Sequence, residues 1–167
     1  MAKFGAIYLS FNQQENAIEK VEKISSILVE QGYSFTVRYH DESPWIQLYV
    51  EDPEKVVEYA EDVSKIFPKK RVIGLAAYTV SDEVSFCEFK NGTVIRLLQS
   101  GFNNERRWDL IEGVAQVWES EILKNLTMEI SKPGMVSSHV NKIGVFLNLP
   151  GFGIPRPGEA WSQEIIN

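Results

Sequence analysis

The sequence SFTVRYHDESPWIQLYV, residues 34–50, contains the pattern that decides the fold. Apolar and polar residues alternate on both sides of the polar turn at residues 41–44, as they do in paired strands that bury one face. The apolar positions are Phe35, Val37, Tyr39, Ile46, Leu48 and Val50. This segment therefore predicts two antiparallel strands whose apolar face packs against helices.

Amphipathic helices are predicted on both sides of this strand pair. Upstream, Asn12 and Glu15 have the spacing of a capping box, and Gly32 can supply the left-handed residue that ends a helix. Downstream, Asp52-Pro53-Glu54 gives a cap, a first-turn proline and an acid, and Pro68 ends the second helix. The predicted apolar stripes are Ala17, Ile18, Val21, Ile24 and Leu28, and then Val56, Ala60, Val63 and Phe67.

Further strands are predicted outside the helices. Residues 4–11 and 71–80 are short and apolar, as expected of central strands that are buried on both faces. Residues 84–90 and 93–99 alternate around Asn91-Gly92, which is a strong hairpin signal. The order strand, helix, two strands, helix, strand is a split β-α-β unit. The sequence therefore predicts an α+β fold with a ferredoxin-like β-α-β-β-α-β core, an added antiparallel hairpin and a C-terminal extended arm.

The predicted domain division follows the proline pattern near the end of the chain. Residues 1–149 are predicted to form a single α+β domain, since a chain of 167 residues suits one core. Prolines at 150, 155 and 157 exclude a helix or a central strand there. The apolar residues that follow are Phe152, Ile154, Trp161, Ile165 and Ile166. Residues 150–167 are therefore predicted to be an arm packed on the domain or on a neighbouring subunit.

Composition limits the partners and the compartment. A formal net charge of −6 disfavours nucleic acids and anionic membranes, because both attract basic surfaces. The single cysteine, Cys87, cannot form an intramolecular disulfide, which suits a reducing compartment. The N-terminal residues lack the pattern of a signal peptide, and no apolar run approaches the roughly 20 residues needed to cross a bilayer. The sequence predicts a cytoplasmic protein with no nucleic-acid or membrane partner.

One face of the predicted sheet concentrates the candidate contact residues. If the apolar positions of residues 34–50 face the helices, Arg38, His40, Trp45 and Tyr49 point the other way. Trp161 in the arm is a further candidate, since a tryptophan can bury a large area against a partner. Exposed aromatics on a sheet also occur in proteins that bind single-stranded RNA, but the negative charge and the missing glycine-aromatic signature argue against that use.

Chemical signatures are weak. His40-Asp41-Glu42 joins a histidine to carboxylates, but neighbours along a strand point to opposite faces and make poor catalytic partners. Ser137-Ser138-His139 has no identifiable base or oxyanion donors around it. Cys87, close to Phe86 and Phe89, is predicted to be a buried structural thiol. We predict no catalytic, cofactor-binding or metal-binding residue, and no cofactor.

The segment after the hairpin carries Arg96-Leu97-Leu98, Gly101, Trp108, Glu112-Gly113 and Trp118-Glu119. This pattern resembles conserved bacterial proteins of unassigned function, and the resemblance implies no activity. We expect a non-enzymatic binding or regulatory protein that acts through protein–protein contacts, as a homo-oligomer. The alternative is a small-molecule-binding protein or an enzyme of unknown reaction, with a pocket between the open sheet face and residues 100–150.

Overall fold

The computed structural model describes residues 3–12, 16–78, 83–100, 106–108, 141, 144–145, 147–152, 155 and 158–167. Within these residues the fold is mixed α+β, with two α-helices and one antiparallel sheet of eight strands. The strands are β1 (Lys3–Ser10), β2 (Thr36–Tyr39), β3 (Trp45–Tyr49), β4 (Val72–Tyr78), β5 (Glu83–Lys90), β6 (Thr93–Ser100), β7 (Arg106–Trp108) and β8 (Gln163–Ile165). The helices are α1 (Ala17–Glu30) and α2 (Val56–Ile66), and a 3-10 turn at Pro53–Lys55 precedes α2.

The sheet order is β7-β6-β5-β4-β1-β3-β2-β8. Helix α1 connects β1 to β2, and α2 connects β3 to β4. Both helices contribute to one buried cluster with side chains from the same face of the sheet. The members of this cluster from the helices are Val21, Ile24, Leu28, Val56, Ala60 and Val63. Both helices therefore cover one face, and the β2–β3 pair lies beneath them.

The predicted strand faces are confirmed. All six apolar positions of residues 34–50 are buried in the cluster beneath the helices. The register pairs Val37 with Leu48 and Tyr39 with Ile46, so the apolar side chains of both strands fall on the same face. A second buried cluster lies on the opposite face and includes Tyr8, Trp45 and Leu149. Because Leu147 and Phe152 also pack there, the chain's own segment covers this part of the opposite face.

The start of α1 differs from the prediction. The capping residue is Asn16, whose side chain accepts a hydrogen bond from the backbone N–H of Glu19 at 3.4 Å. Asn12 was therefore the wrong cap, and the sequence repeats the same Asn-x-x-Glu spacing four residues later. Ile18 was also wrongly assigned to the buried stripe, since it is 63% exposed. A helix that begins at Ala17 instead turns Val21, Ile24 and Leu28 toward the sheet.

The other predicted turns and caps are confirmed. Gly32 has a φ of +90° directly after α1, which is the left-handed conformation expected there. Asp52 accepts a hydrogen bond from the backbone N–H of Glu54 at 3.2 Å and so caps the turn before α2. Asn91 and Gly92 both have positive φ, as a two-residue hairpin turn requires. No helix among the described residues is long and apolar enough to cross a membrane.

Candidate functional site

The last strand of the chain lies at the edge of the sheet. Strand β8 pairs antiparallel with β2, with Val37 opposite Ile165 and Tyr39 opposite Gln163. We call residues 158–167 the C-terminal segment. Its last residue is also anchored, because the Asn167 amide donates to Ser25 Oγ at 2.8 Å and to the Phe35 carbonyl oxygen at 2.9 Å. The C-terminal segment therefore runs along β2 and reaches α1.

Arg38 is the centre of the contacts between β2 and the C-terminal segment. Its Nε donates to Glu164 Oε2 at 2.7 Å. Its guanidinium carbon lies 5.2 Å from the centre of the Tyr49 ring and 5.7 Å from that of the Trp161 ring. Guanidinium–ring contacts at partly exposed sites contribute about 0.5–1 kcal/mol each. The structure thus brings together three of the five predicted site residues, namely Arg38, Tyr49 and Trp161.

His40 binds the same segment from a buried position. Its Nε2 lies 3.0 Å from Glu159 Oε1, and its Nδ1 accepts the backbone N–H of Glu42 at 3.2 Å. Because Nδ1 accepts from Glu42, Nε2 is the ring nitrogen that donates to Glu159. Beside it, the backbone N–H of Asp41 donates to Ser162 Oγ at 3.0 Å. Since both ring nitrogens of His40 are engaged, the imidazole serves to hold the segment.

Trp45 lies apart from this group and anchors another part of the chain. Its Nε1 donates to the Leu147 carbonyl oxygen at 2.9 Å, and the Arg71 guanidinium lies 5.4 Å from its ring centre. Nearby, the Gln47 amide nitrogen reaches the Pro150 carbonyl oxygen at 3.2 Å and the Tyr8 hydroxyl at 3.4 Å. Two separate segments of the chain therefore contact the predicted sheet face. Residues 147–152 contact it at Trp45, and the C-terminal segment contacts it at Arg38.

A buried charge cluster was missed by the sequence analysis. Glu88 is only 3% exposed, and its two carboxylate oxygens contact Arg71 Nη2 at 2.7 Å and Arg96 Nη2 at 3.3 Å. Arg96 is equally buried, and the strand register places it opposite Glu88. The alternation of side chains along β5 was one signal in the sequence for a buried Glu88. It places Glu88 on the same face of the strand as the apolar Val84 and Phe86. The cluster links β5 to β6 and to the residue that precedes β4 through two ion pairs.

Cys87 is fully buried, as predicted for a structural thiol. Its Sγ lies 3.8 Å from the Gly74 carbonyl oxygen, and a Cβ built on Gly74 would lie only 2.6 Å from that sulfur. Glycine at position 74 therefore allows β5 and α2 to approach β4 closely. Burial raises the pKa of the Cys87 thiol from 9.0 to about 12. The thiol is protonated at neutral pH and is not a nucleophile.

We expect the native protein to show no thiol that reacts with a disulfide reagent at pH 8, and one reactive thiol after denaturation.

The raised pKa of Cys87 also sets the sign of a pH effect on stability. The unfolded thiol ionises first, so stability is intact below about pH 9 and falls as the pH rises toward 12. By pH 10 the expected loss of stability is on the order of 1 kcal/mol.

The control for this effect is Cys87→Ala, measured by urea denaturation at pH 8 and at pH 10. The variant should lose less stability between the two pH values than the parent, because only the thiol contribution is removed. Burial also raises the pKa of Tyr8, Tyr33 and Tyr39, so some loss remains in both proteins. Equal losses in the two proteins would contradict the assignment to Cys87.

Comparisons of the chain with protein-family models, with curated proteins and with solved structures find no match. The resemblance noted over residues 96–119 stays a prediction.

Among the described residues, no group of three or more His, Cys, Asp or Glu side chains could hold a metal ion. The predicted features at His139, Ile154 and Pro157 lie outside the described residues.

Proposed function

We propose that this protein is a non-enzymatic binding or regulatory protein that acts through protein–protein contacts and forms a homo-oligomer by exchanging its C-terminal segment. The observation that carries the proposal is the addition of β8 to the edge strand β2. Strand addition is a general mode of protein recognition, in which backbone pairing gives affinity and side chains give specificity. Here the side-chain contacts come from Arg38 and His40, which the sequence already indicated.

The strength of these contacts favours exchange. Strand β8 has only three residues, and the Arg38–Glu164 pair is partly exposed on both sides. Exposed ion pairs contribute about 0–1 kcal/mol each, so the Arg38–Glu164 pair by itself holds the segment only weakly. Ile166 is 76% exposed even when the segment is docked. A second chain offers the same β2 edge, and an exchanged segment would make the same contacts there.

We also propose that β1 to β4 with α1 and α2 form a ferredoxin-like core to which β5 to β8 are added. The central order β4-β1-β3-β2 and the helical connections between β1 and β2 and between β3 and β4 support this description. The lone buried Cys87 supports a cytoplasmic location. The net charge of −6 supports the expectation that neither nucleic acid nor membrane is a partner.

The second candidate is a small-molecule-binding protein or an enzyme with a pocket between the sheet face and residues 100–150. One observation favours it. Gln47 Oε1 is buried on this face and has no hydrogen-bond partner among the described residues. We place this candidate second because Leu147, Leu149 and Phe152 already pack on the same face.

A crosslinking experiment with two singly substituted chains tests the exchange. Arg38 and Glu164 are opposite each other in the β2–β8 ladder, so cysteines at these positions are placed for a disulfide. Chains carrying Arg38→Cys and chains carrying Glu164→Cys are mixed, unfolded, refolded and oxidised together. If the segment crosses between chains, a covalent heterodimer appears on a non-reducing gel. Light scattering of the unmodified protein should give the mass of an oligomer.

The matched control mixes Glu164→Cys chains with Lys55→Cys chains, because Lys55 is also exposed but is absent from the β2–β8 ladder. This mixture should give no more covalent dimer than either chain alone. A monomeric mass in solution, together with no heterodimer from the first mixture, would overturn the proposed oligomer. A chain carrying both Arg38→Cys and Glu164→Cys would then close the bond within itself.

A further inference from the structure

A separate cavity of about 340 Å³ lies between the β2–β3 pair, α2 and the end of the chain. Its walls come from residues 32–36, from residues 49–52 at the end of β3, from Tyr59 of α2, and from residues 166–167. Small-molecule sites in proteins commonly measure about 300–1,000 Å³, so the cavity can hold a small ligand. Neither Arg38 nor Glu164 lines it.

Aromatic rings form a large part of these walls. The rings of Tyr33 and Phe35 are stacked, with centres 5.3 Å apart and planes 6° apart. The Tyr59 ring meets both of them edge-on, at centre distances of 5.5 and 5.6 Å. Tyr49 lines the cavity as well, and its ring already carries the guanidinium of Arg38. Mutual packing holds the rings in place without a ligand, and stacking engages one face of Tyr33 and one face of Phe35 with each other.

The charged residues in the walls are all acidic. Glu51 and Asp52 line the cavity, and no Lys, Arg or His is among the residues described as lining it. Behind the wall, the Tyr33 hydroxyl donates to Asp62 Oδ2 at 2.7 Å. Burial, and then the hydrogen bond and charge of Asp62, raise the pKa of Tyr33 to about 12. This cavity therefore combines aromatic rings with two acidic side chains, while the nearby Arg38 guanidinium on the Tyr49 ring is paired with Glu164.

We propose that this cavity binds an organic ammonium ion, with the charged group held against the aromatic rings and between the carboxylates of Glu51 and Asp52. Ring faces attract cations, and aromatic sites of this kind suit quaternary or methylated ammonium groups, since these are weakly hydrated. The two carboxylates add long-range attraction and exclude anions. Because residues 166–167 line the cavity, the proposal requires a docked C-terminal segment, whether that segment comes from the same chain or from an exchanged one. A quaternary ammonium group is present both in small molecules such as choline and in a trimethylated lysine side chain.

Calorimetry with choline as the probe tests the site. Its neutral isostere, 3,3-dimethyl-1-butanol, has the same shape without the charge and should bind at least about tenfold more weakly. A second arm replaces choline with a short peptide that carries trimethyl-lysine. Binding of choline indicates that the ligand is a small ammonium compound. Binding of the peptide without binding of choline indicates that the ligand is a methylated lysine in a protein tail. Both results support the ammonium site.

The variants separate the rings from the charges. Tyr59→Leu removes one ring, and the double variant Glu51→Gln, Asp52→Asn removes both charges while asparagine retains the cap before α2. Each should weaken binding of the ammonium probe about tenfold. The control is Glu19→Gln, which removes one carboxylate charge in the first turn of α1, away from the cavity. It should leave binding unchanged.

Two outcomes would overturn the proposal. The first is the absence of saturable binding for both probes at millimolar concentration. The second is equal binding of choline and its neutral isostere, since the charge would then play no part. If Tyr59→Leu fails to fold by circular dichroism, the double variant carries the test alone, because its two side chains are exposed and should leave the fold intact.

Discussion

Replacing Leu48 with alanine is expected to lower the free energy of unfolding by about 2–5 kcal/mol. Leu48 is fully buried in the middle of β3, opposite Ile7 of β1 and Val37 of β2. Its side chain belongs to the cluster that both helices cover, so the surrounding backbone cannot collapse into the space left behind. Urea denaturation followed by circular dichroism gives the change from the shift in the midpoint.

The matched control is Ile18→Ala on α1. Ile18 is a comparably large side chain, but it is 63% exposed, so its truncation should change stability by no more than about 0.5 kcal/mol. The comparison separates loss of core packing from a general intolerance of alanine. A midpoint for Leu48→Ala that matches that of the parent would mean that the two faces of β3 are inverted.

The strand faces could be predicted because the information is local. Side chains alternate strictly along a strand, so the apolar positions of residues 34–50 define a face without any knowledge of distant contacts. The Asn91-Gly92 turn is local for the same reason, since two successive residues with positive φ favour this pair. The caps of the two helices show the limit. Asp52 was the single capping candidate before the second helix and was predicted correctly. Before α1, Asn12 and Asn16 are both followed by a glutamate three residues later, so the sequence pattern could not distinguish between them.

The site was harder to predict because its partners are far apart along the chain. Arg38 and Glu164 are separated by 126 positions, and no sequence pattern connects them. Residues 163–165 become a strand only because the β2 edge offers backbone groups to pair with. The sequence therefore identified Arg38, His40 and Trp161 as contact residues, but it could not supply Glu159 and Glu164 as their partners.

The buried pair Glu88–Arg96 was missed for a reason of register. In a regular hairpin around Asn91-Gly92, Lys90 faces Thr93 and Phe89 faces Val94, so Glu88 would face Ile95. The structure has a bulge after Glu88, and the shift places Arg96 opposite it instead. The bulge converts a mismatched position into an opposite-charge pair. Sequence alternation could mark Glu88 as inward-facing, but it could not foresee the extra residue that gives it a partner.

Replacing Glu88 with alanine is consequently expected to destabilise the protein by about 3–5 kcal/mol. The substitution leaves the buried Arg96 guanidinium without the carboxylate that balances its charge. Because both charges are shielded from solvent, the loss measured by urea denaturation should be nearly the same at low and high salt. The control is Glu61→Ala, which breaks the exposed pair with Lys65 and should cost no more than about 1 kcal/mol.

A double substitution shows where the cost of Glu88→Ala comes from. In the variant Glu88→Leu, Arg96→Leu both charges of the cross-strand pair are replaced by apolar side chains, and Arg71 keeps its contact with Trp45. Buried ion pairs replaced on both sides by apolar residues are often neutral in stability, because the desolvation of both charges is avoided. We therefore expect the double variant to be more stable than Glu88→Ala, although it carries one more substitution. If it is less stable, the ion pair itself stabilises the sheet beyond the cost of an unbalanced buried charge. If Glu88→Ala costs no more than Glu61→Ala, the Glu88 carboxylate is solvated in solution, and the bulged register between β5 and β6 is wrong.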